Sequence, residues 1–287
     1  MTSEPKIPDP TRPAGRVLVL LDGSRLSLDA LEAAADLAHS RGAEVLGIFV
    51  EEVNLLRSAG YGFAREVGAS SGQARPLDSA HIEARMHALA EQARRSLAQA
   101  MSRRGIPQTL KLCRGQVVQE VLGLASPEDL LVLGRVGWSA APGSRIGSTA
   151  RSLVRQAPGD VLLWTRPRQR PQGRVVVLLN HDQGANHRAV RVGADLALQY
   201  HQPLSVLVRT TNGDHQRVTE DLLSYLQQQG IAARIRLLPM ASASAVTRAL
   251  QEEGASQLVI SRTCSLFSEP GADNLLMELS LPLTVTP

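Results

Sequence analysis

Leu131-Val-Leu-Gly-Arg-Val-Gly137, then nine intervening residues, then Gly147-Ser148-Thr149, is the stretch that decides how this chain reads. An apolar strand ends at Gly134, a loop carries Gly137, and Gly147 opens a helical stretch over Ala150–Gln156. Glycines at such a turn let backbone N–H groups approach an anion with no Cβ in the way. A helix N-terminus beside them adds unpaired N–H donors and a dipole that favours phosphate. Ser148 and Thr149 are expected to cap that helix and to offer hydroxyls to a ligand oxygen. The arrangement reads as a phosphate cradle for a nucleotide.

Outward from this stretch, strand and helix signals alternate. Upstream, Arg16–Leu21 is a continuous apolar run, as in a strand covered on both faces of a parallel sheet. Leu28–Ser40 carries Leu31, Ala34, Ala35 and Ala38 at helical spacing, and Arg41-Gly42 closes it. Strands are expected at Glu44–Val50, Thr109–Cys113, Leu130–Leu133 and Val161–Trp164, with helices at His81–Arg104 and Gln116–Ala125. Residues 51–79 are rich in Gly and Ser and lack periodicity, which predicts a long loop or a lid.

The second half repeats the first. Arg16-Val-Leu-Val-Leu-Leu-Asp22 aligns with Arg174-Val-Val-Val-Leu-Leu-Asn180, and Ala35-Asp-Leu-Ala38 recurs as Ala194-Asp-Leu-Ala197. A period of roughly 155 residues is too long for a solenoid and marks a duplicated domain. The predicted fold is α/β, with two tandem five-stranded parallel sheets of Rossmann-like type. A disordered leader is expected over 1–14, a nucleotide-binding domain over 15–166, a linker over 167–173 and a degenerate second domain over 174–287.

Composition narrows the function classes. The 287 residues, 43% apolar and 20% charged, describe an ordinary globular protein. The proline-rich start lacks the apolar core of a secretory signal, and Cys113 and Cys264 stand far apart, so a reducing, cytoplasmic setting is expected. The net charge of +4 is scattered arginine without interleaved aromatics, so no nucleic-acid partner is predicted, and no apolar run is long enough to predict a membrane partner. The seven histidines show no HExxH spacing, no G-x-S-x-G is present, and Gly143-Ser-Arg-Ile-Gly147-Ser148 lacks the Walker A lysine. Catalytic residues are therefore not assigned, and the leaning is towards a binding protein rather than an enzyme.

Asp22-Gly-Ser24, the Gly134-x-x-Gly137-x9-Gly147-Ser148 pattern and Ala157-Pro-Gly-Asp-Val161 together resemble the universal stress protein family. The resemblance covers residues 15–166 well and 174–286 more weakly, as in tandem members. It implies ATP, with Mg2+ as an optional companion, in the crevice at the carboxyl ends of the strands. On that analogy Asp22 lies near the adenosine or a phosphate-bound metal, and Val50 meets adenine through its backbone. Gly134 and Gly137 line ribose and phosphates, and Gly147, Ser148 and Thr149 hold the terminal phosphates. It further implies a regulatory or sensing role in stress response, with the two domains packed as an intramolecular pseudo-dimer and a homodimer as a further option. An empty interaction scaffold, a slow ATPase and a binder of AMP or cyclic AMP stand as alternatives.

In the second half Asn180 replaces Asp22, while Ser261 and Cys264 replace Gly134 and Gly137. A nucleotide site is therefore expected in the first half only. Two readings stand for Arg135 and Arg145, neutralising phosphate or sitting in a solvated loop, and two for Trp138, covering the site or packing the loop. Cys264 is expected to be a small buried residue.

Overall fold

The computed structural model describes residues 15–68, 71–137, 146–165, 173–179, 183–210, 215–239, 242–264, 279 and 281–287. The expected leader, Trp138, Arg145, Asn180 and all of the expected linker except Gly173 lie outside the described residues.

The first half runs β1 (Val17–Leu21), α1 (Arg25–Arg41), β2 (Val45–Glu52), α2 (Val53–Ala59), β3 (Arg65–Val67), β4 (Ala74–Pro76), α3 (Ser79–Ser102), β5 (Gln108–Gly115), α4 (Val117–Leu124), β6 (Leu130–Gly134), α5 (Ser148–Gln156) and β7 (Asp160–Trp164). The second runs β8 (Arg174–Leu179), α6 (Gln183–Gln199), β9 (Leu204–Thr210), α7 (His215–Gln228), β10 (Ala233–Pro239), α8 (Ala243–Glu252), β11 (Ala255–Ser261) and β12 (Leu283–Thr286).

Two sets of five parallel strands form, in the orders β7-β6-β1-β2-β5 and β12-β11-β8-β9-β10, which are the same order in each half. They are continuous in one ten-stranded sheet, because β7 and β12 pair antiparallel through Leu163 with Leu283, Leu162 with Thr284 and Val161 with Val285. The pairing removes the edge that each last strand would otherwise expose.

Helices cover both faces, which is why the strands are apolar throughout rather than alternating. On one face Val17, Val19 and Leu21 pack under α1 and α3, in a core that continues through Val175, Val177 and α6. On the other, Leu131, Leu133 and α5 share a core with Leu258, Ile260 and α8. Each core therefore runs across the seam. Leu163 and Leu283, which face each other there, are wholly buried, and burial of each side chain is worth about 1.5–3 kcal/mol.

Local signals set the helix ends. Ser24 caps α1 by accepting the Ser27 N–H, and Gly42 ends it in the left-handed region at φ 61°. Asp78 likewise caps α3 by accepting the Ala80 N–H. The expectation of a long loop over 51–79 is corrected. This segment holds α2 and the β3–β4 hairpin, anchored by a small apolar cluster of Ala59, Ile82 and Met86 with Leu55, Leu56 and Leu77 around it. Such a short helix, with its apolar residues split between two neighbours, leaves too few turns for a periodic signal.

Polar ties fasten the seam at its flank. Arg188 on α6 meets Asp160 at 2.9 Å and donates to the Pro127 carbonyl at 3.1 Å. Burial lowers the Arg262 pKa, opposed by the neighbouring Asp160 carboxylate. Among the described residues no helix is long and apolar enough to cross a membrane, and no cluster of three or more His, Cys, Asp or Glu is placed to hold a metal.

Candidate functional site

A cavity of about 500 Å³ opens at the carboxyl ends of the first-half strands. It lies within the range of small-molecule sites, and its place is where open α/β sheets bind ligands. Asp22, Val50, Gly134, Gly137, Gly147, Ser148 and Thr149 all line it. Residues separated by more than a hundred positions meet there because β1 lies between β2 and β6 in the sheet.

Each glycine of the loop has a different neighbour. A Cβ at Gly137 would stand 2.8 Å from Asp22 Oδ2, so a side chain there would collide with the carboxylate. At Gly134 it would stand 3.1 Å from the backbone carbon and the Cβ of Leu26, in the first turn of α1. At Gly147 nothing lies closer than the Arg135 carbonyl oxygen at 3.7 Å, which is ordinary contact. A side chain is thus opposed by backbone at 134, by a movable carboxylate at 137 and by nothing at 147.

The expected capping by Ser148 and Thr149 is corrected. Gly147 itself is the N-cap of α5, and no side chain caps the helix. Ser148 and Thr149 fall in the first turn, one and two positions past the cap, too late for their hydroxyls to close back on the helix start. The first intrahelical bond of α5 runs from the Arg151 N–H to the Gly147 carbonyl at 3.0 Å. The N–H groups of Ser148, Thr149 and Ala150 precede it and have no acceptor within the helix, at the end where the dipole is positive. All three residues line the cavity.

The cavity has contrasting sides. Phe49, Leu55, Met86, Leu89 and Val117 contribute an apolar wall, while the loop and α5 contribute backbone polar groups and the exposed Arg151. Two carboxylates stand at the rim. Asp22 Oδ1 accepts the Ser24 N–H at 2.9 Å, which holds the turn into α1. Glu52 accepts N–H groups from Asn54 at 3.3 Å and Val117 at 3.4 Å.

Several lining residues escape sequence reasoning. Leu55, Met86 and Leu89 come from α2 and α3, which carry no motif, and Arg151 sits one turn into α5 without distinctive spacing. Arg135 lines the cavity but does not sit in a solvated loop. It is 5% exposed, and its Nη1 donates to the backbone carbonyl of Leu279 in the second half. The described start of the corresponding loop of the second half, residues 261–264, forms a tight turn. Ser261 Oγ lies 2.9 Å from Thr263 Oγ1, the Cys264 N–H donates to the Ser261 carbonyl at 3.0 Å, and Cys264 is buried.

Comparison with known proteins identifies the family and the fold. Curated relatives in Mycobacterium bovis and Mycobacterium tuberculosis, both universal stress proteins, are 28% identical over 165 residues. The match takes in 56% of this chain and 52% of theirs, so the chain spans about half the length of the curated relatives it matches. A universal stress protein of Archaeoglobus fulgidus superposes with a TM-score of 0.70 at 15% identity, over 95% of this chain and 96% of that one. A putative universal stress protein of Pseudomonas aeruginosa gives 0.61 at 14% identity, over 94% and 92%. The model of the universal stress protein family matches residues 14–164, just over half of the sequence. The chain belongs to the universal stress protein family.

Proposed function

We propose that the first-half cavity binds an adenine nucleotide, ATP first among them, and that the protein acts as a regulatory or sensing module in stress response. One observation carries the reading: an uncapped helix start opens into a cavity whose other side is apolar. Exposed N–H groups and a positive dipole end suit phosphate, and an apolar wall suits a flat base. Ser148, Thr149 and the loop glycines would hold phosphate, with Arg151 adding charge. Val50 at the carboxyl end of β2 would meet the base. Mg2+ bound with the phosphates would supply further charge compensation, with Asp22 as the carboxylate in reach of it.

Binding is proposed for the first half alone. The tight turn at Ser261–Cys264 supports this, since side chains occupy the place where the first half keeps glycines. The second half then stands where a second subunit would stand, joined through β12, and the antiparallel seam supports that pseudo-dimer. The domains proposed on this basis remain 15–166 and 174–287.

Titration calorimetry of the full chain with ATP and Mg2+, beside AMP and cyclic AMP, tests the proposal. Micromolar affinity for ATP with one site per chain is expected. Two equivalent sites would overturn the first-half assignment. Absence of binding, together with no adenine absorbance released from the denatured protein, would favour a scaffold. Fast turnover abolished by Gly137→Arg would make the protein an enzyme instead.

A further inference from the structure

Arg135 follows Gly134 at the end of β6, and Arg262 follows Ser261 at the end of β11. The two strands hold matching places, each between the first and last strands of its half. Because β7 and β12 run antiparallel, the end of each lies beside the approach to the opposite half's last strand. Both arginines use this. Arg135 Nη1 donates to the Leu279 carbonyl ahead of β12, and Arg262 Nη2 donates to the Gly159 carbonyl, 3.4 Å away, ahead of β7.

The duplication separates the roles of neighbouring residues. Around Arg262 the glycines have become Ser261 and Cys264, yet the arginine is present in both copies. An arginine serving phosphate alone has no task in the second half, whereas one bracing the seam has the same task in each. Among the described residues, the first copy carries a further link. The backbone carbonyl of Arg135 accepts the Gly147 N–H at 2.8 Å, and Gly147 is the N-cap of α5. One buried residue thus ties the second half to the start of the helix that faces the cavity.

We infer that Arg135 is a positioning residue, through which the second half fixes the start of α5 and thereby sets the nucleotide affinity of the first. Arg262 braces the same seam from the second half, which holds no nucleotide site on the proposed reading. The affinity component of this inference rests on the proposed nucleotide binding; the bracing of α5 does not.

The test compares full-length Arg135→Met and Arg262→Met by hydrogen exchange without nucleotide and by titration with ATP and Mg2+. Arg135→Met is expected to speed exchange of the Gly147 and Arg151 amides, which donate to the Arg135 and Gly147 carbonyls, about tenfold and to weaken ATP binding about tenfold, a coupling of ordinary size. Arg262→Met is expected to leave both within about twofold while lowering Tm at least as much. Arg135→Lys keeps a cation that can donate to Leu279 and supplies the milder case if the methionine variant does not fold; intermediate values are expected in both readouts. Equal exchange of the Gly147 and Arg151 amides in the Arg135 and Arg262 variants would overturn the inference. If wild-type protein binds no ATP, the nucleotide proposal fails, and the exchange comparison alone decides whether Arg135 positions α5.

Discussion

The three loop glycines make a graded experiment, because the space around each differs by measurable amounts. Alanine at Gly134 places a Cβ 3.1 Å from the Leu26 backbone, short of ordinary contact at about 3.4 Å, so α1 must retreat. Helices anchored in a close-packed core resist such shifts at a cost of about 1–3 kcal/mol. Alanine at Gly137 instead meets the Asp22 carboxylate at 2.8 Å. A side chain yields more readily than a backbone, but turning it weakens its bond to the Ser24 N–H, about 1 kcal/mol. Alanine at Gly147 meets nothing closer than 3.7 Å and fits the extended backbone, φ −76° and ψ 158°. Its poorer capping, about 0.5 kcal/mol, is offset by the lower entropy of the unfolded chain, about 0.4–1 kcal/mol. Chemical unfolding should therefore rank the losses Gly134→Ala, Gly137→Ala, Gly147→Ala, with the last near zero. Calorimetric titration should give another order. Gly137→Ala loses most, about tenfold in ATP affinity or 1.4 kcal/mol, because both groups it disturbs line the cavity. Equal destabilisation by Gly147→Ala and Gly134→Ala, or unchanged affinity in Gly137→Ala, would refute the reasoning.

Other perturbations probe separate parts of the molecule. Asp22→Asn keeps an oxygen for the Ser24 N–H, so Tm should stay within about 2 °C. Its ATP affinity should fall with Mg2+ present and rise with Mg2+ chelated, since a negative charge near phosphate is removed; parallel changes in both titrations would contradict this. Burial pushes the Tyr200 pKa from 10.0 up to about 12. Its neutral form is thus favoured in the fold, and the associated stability is complete below pH 10 and is lost as pH rises towards 12. At pH 11 the loss is about 1.4 kcal/mol, and unfolding of Tyr200→Phe at pH 9 and 11 should lack that increment. Leu283→Ala opens a void at the seam and should cost about 2–5 kcal/mol. Because both cores cross the seam, circular dichroism in urea should still show one transition, shifted as a whole; two transitions with only one displaced would speak against a shared core.

Much of this architecture is legible in the sequence, and the reasons are physical. Strands buried on both faces appear as unbroken apolar runs, so β1, β6, β7 and β8 stand out, and the repeat of Arg16–Asp22 at Arg174–Asn180 announces the duplication. Of the loop glycines, Gly134 is the one where close backbone approach leaves little room for anything else. What stays hidden depends on contacts distant in the chain. Leu55, Met86 and Leu89 wall the cavity only because α2 and α3 fold over β2, and a leucine facing a cavity has the same local pattern as one facing a core. Arg135 lies beside a phosphate-type motif, and nothing local announces that its Nη1 donates to a carbonyl 144 positions away. The Ser148 and Thr149 caps fail by one and two positions, because the helix starts two residues earlier than its apolar spacing announces.

The antiparallel joint between β7 and β12 has a bearing on concentration. Two separate subunits meeting along an edge strand dissociate on dilution, and their contact responds to expression level through mass action. A joint closed within one polypeptide has a fixed effective concentration. Each molecule therefore carries one copy of each half in constant proportion, at nanomolar as at millimolar levels. The outer strands left for contact with anything else are β5 and β10. These carry Lys111, Arg114, Arg234 and Arg236, charges that discourage further strand addition and end the sheet at ten.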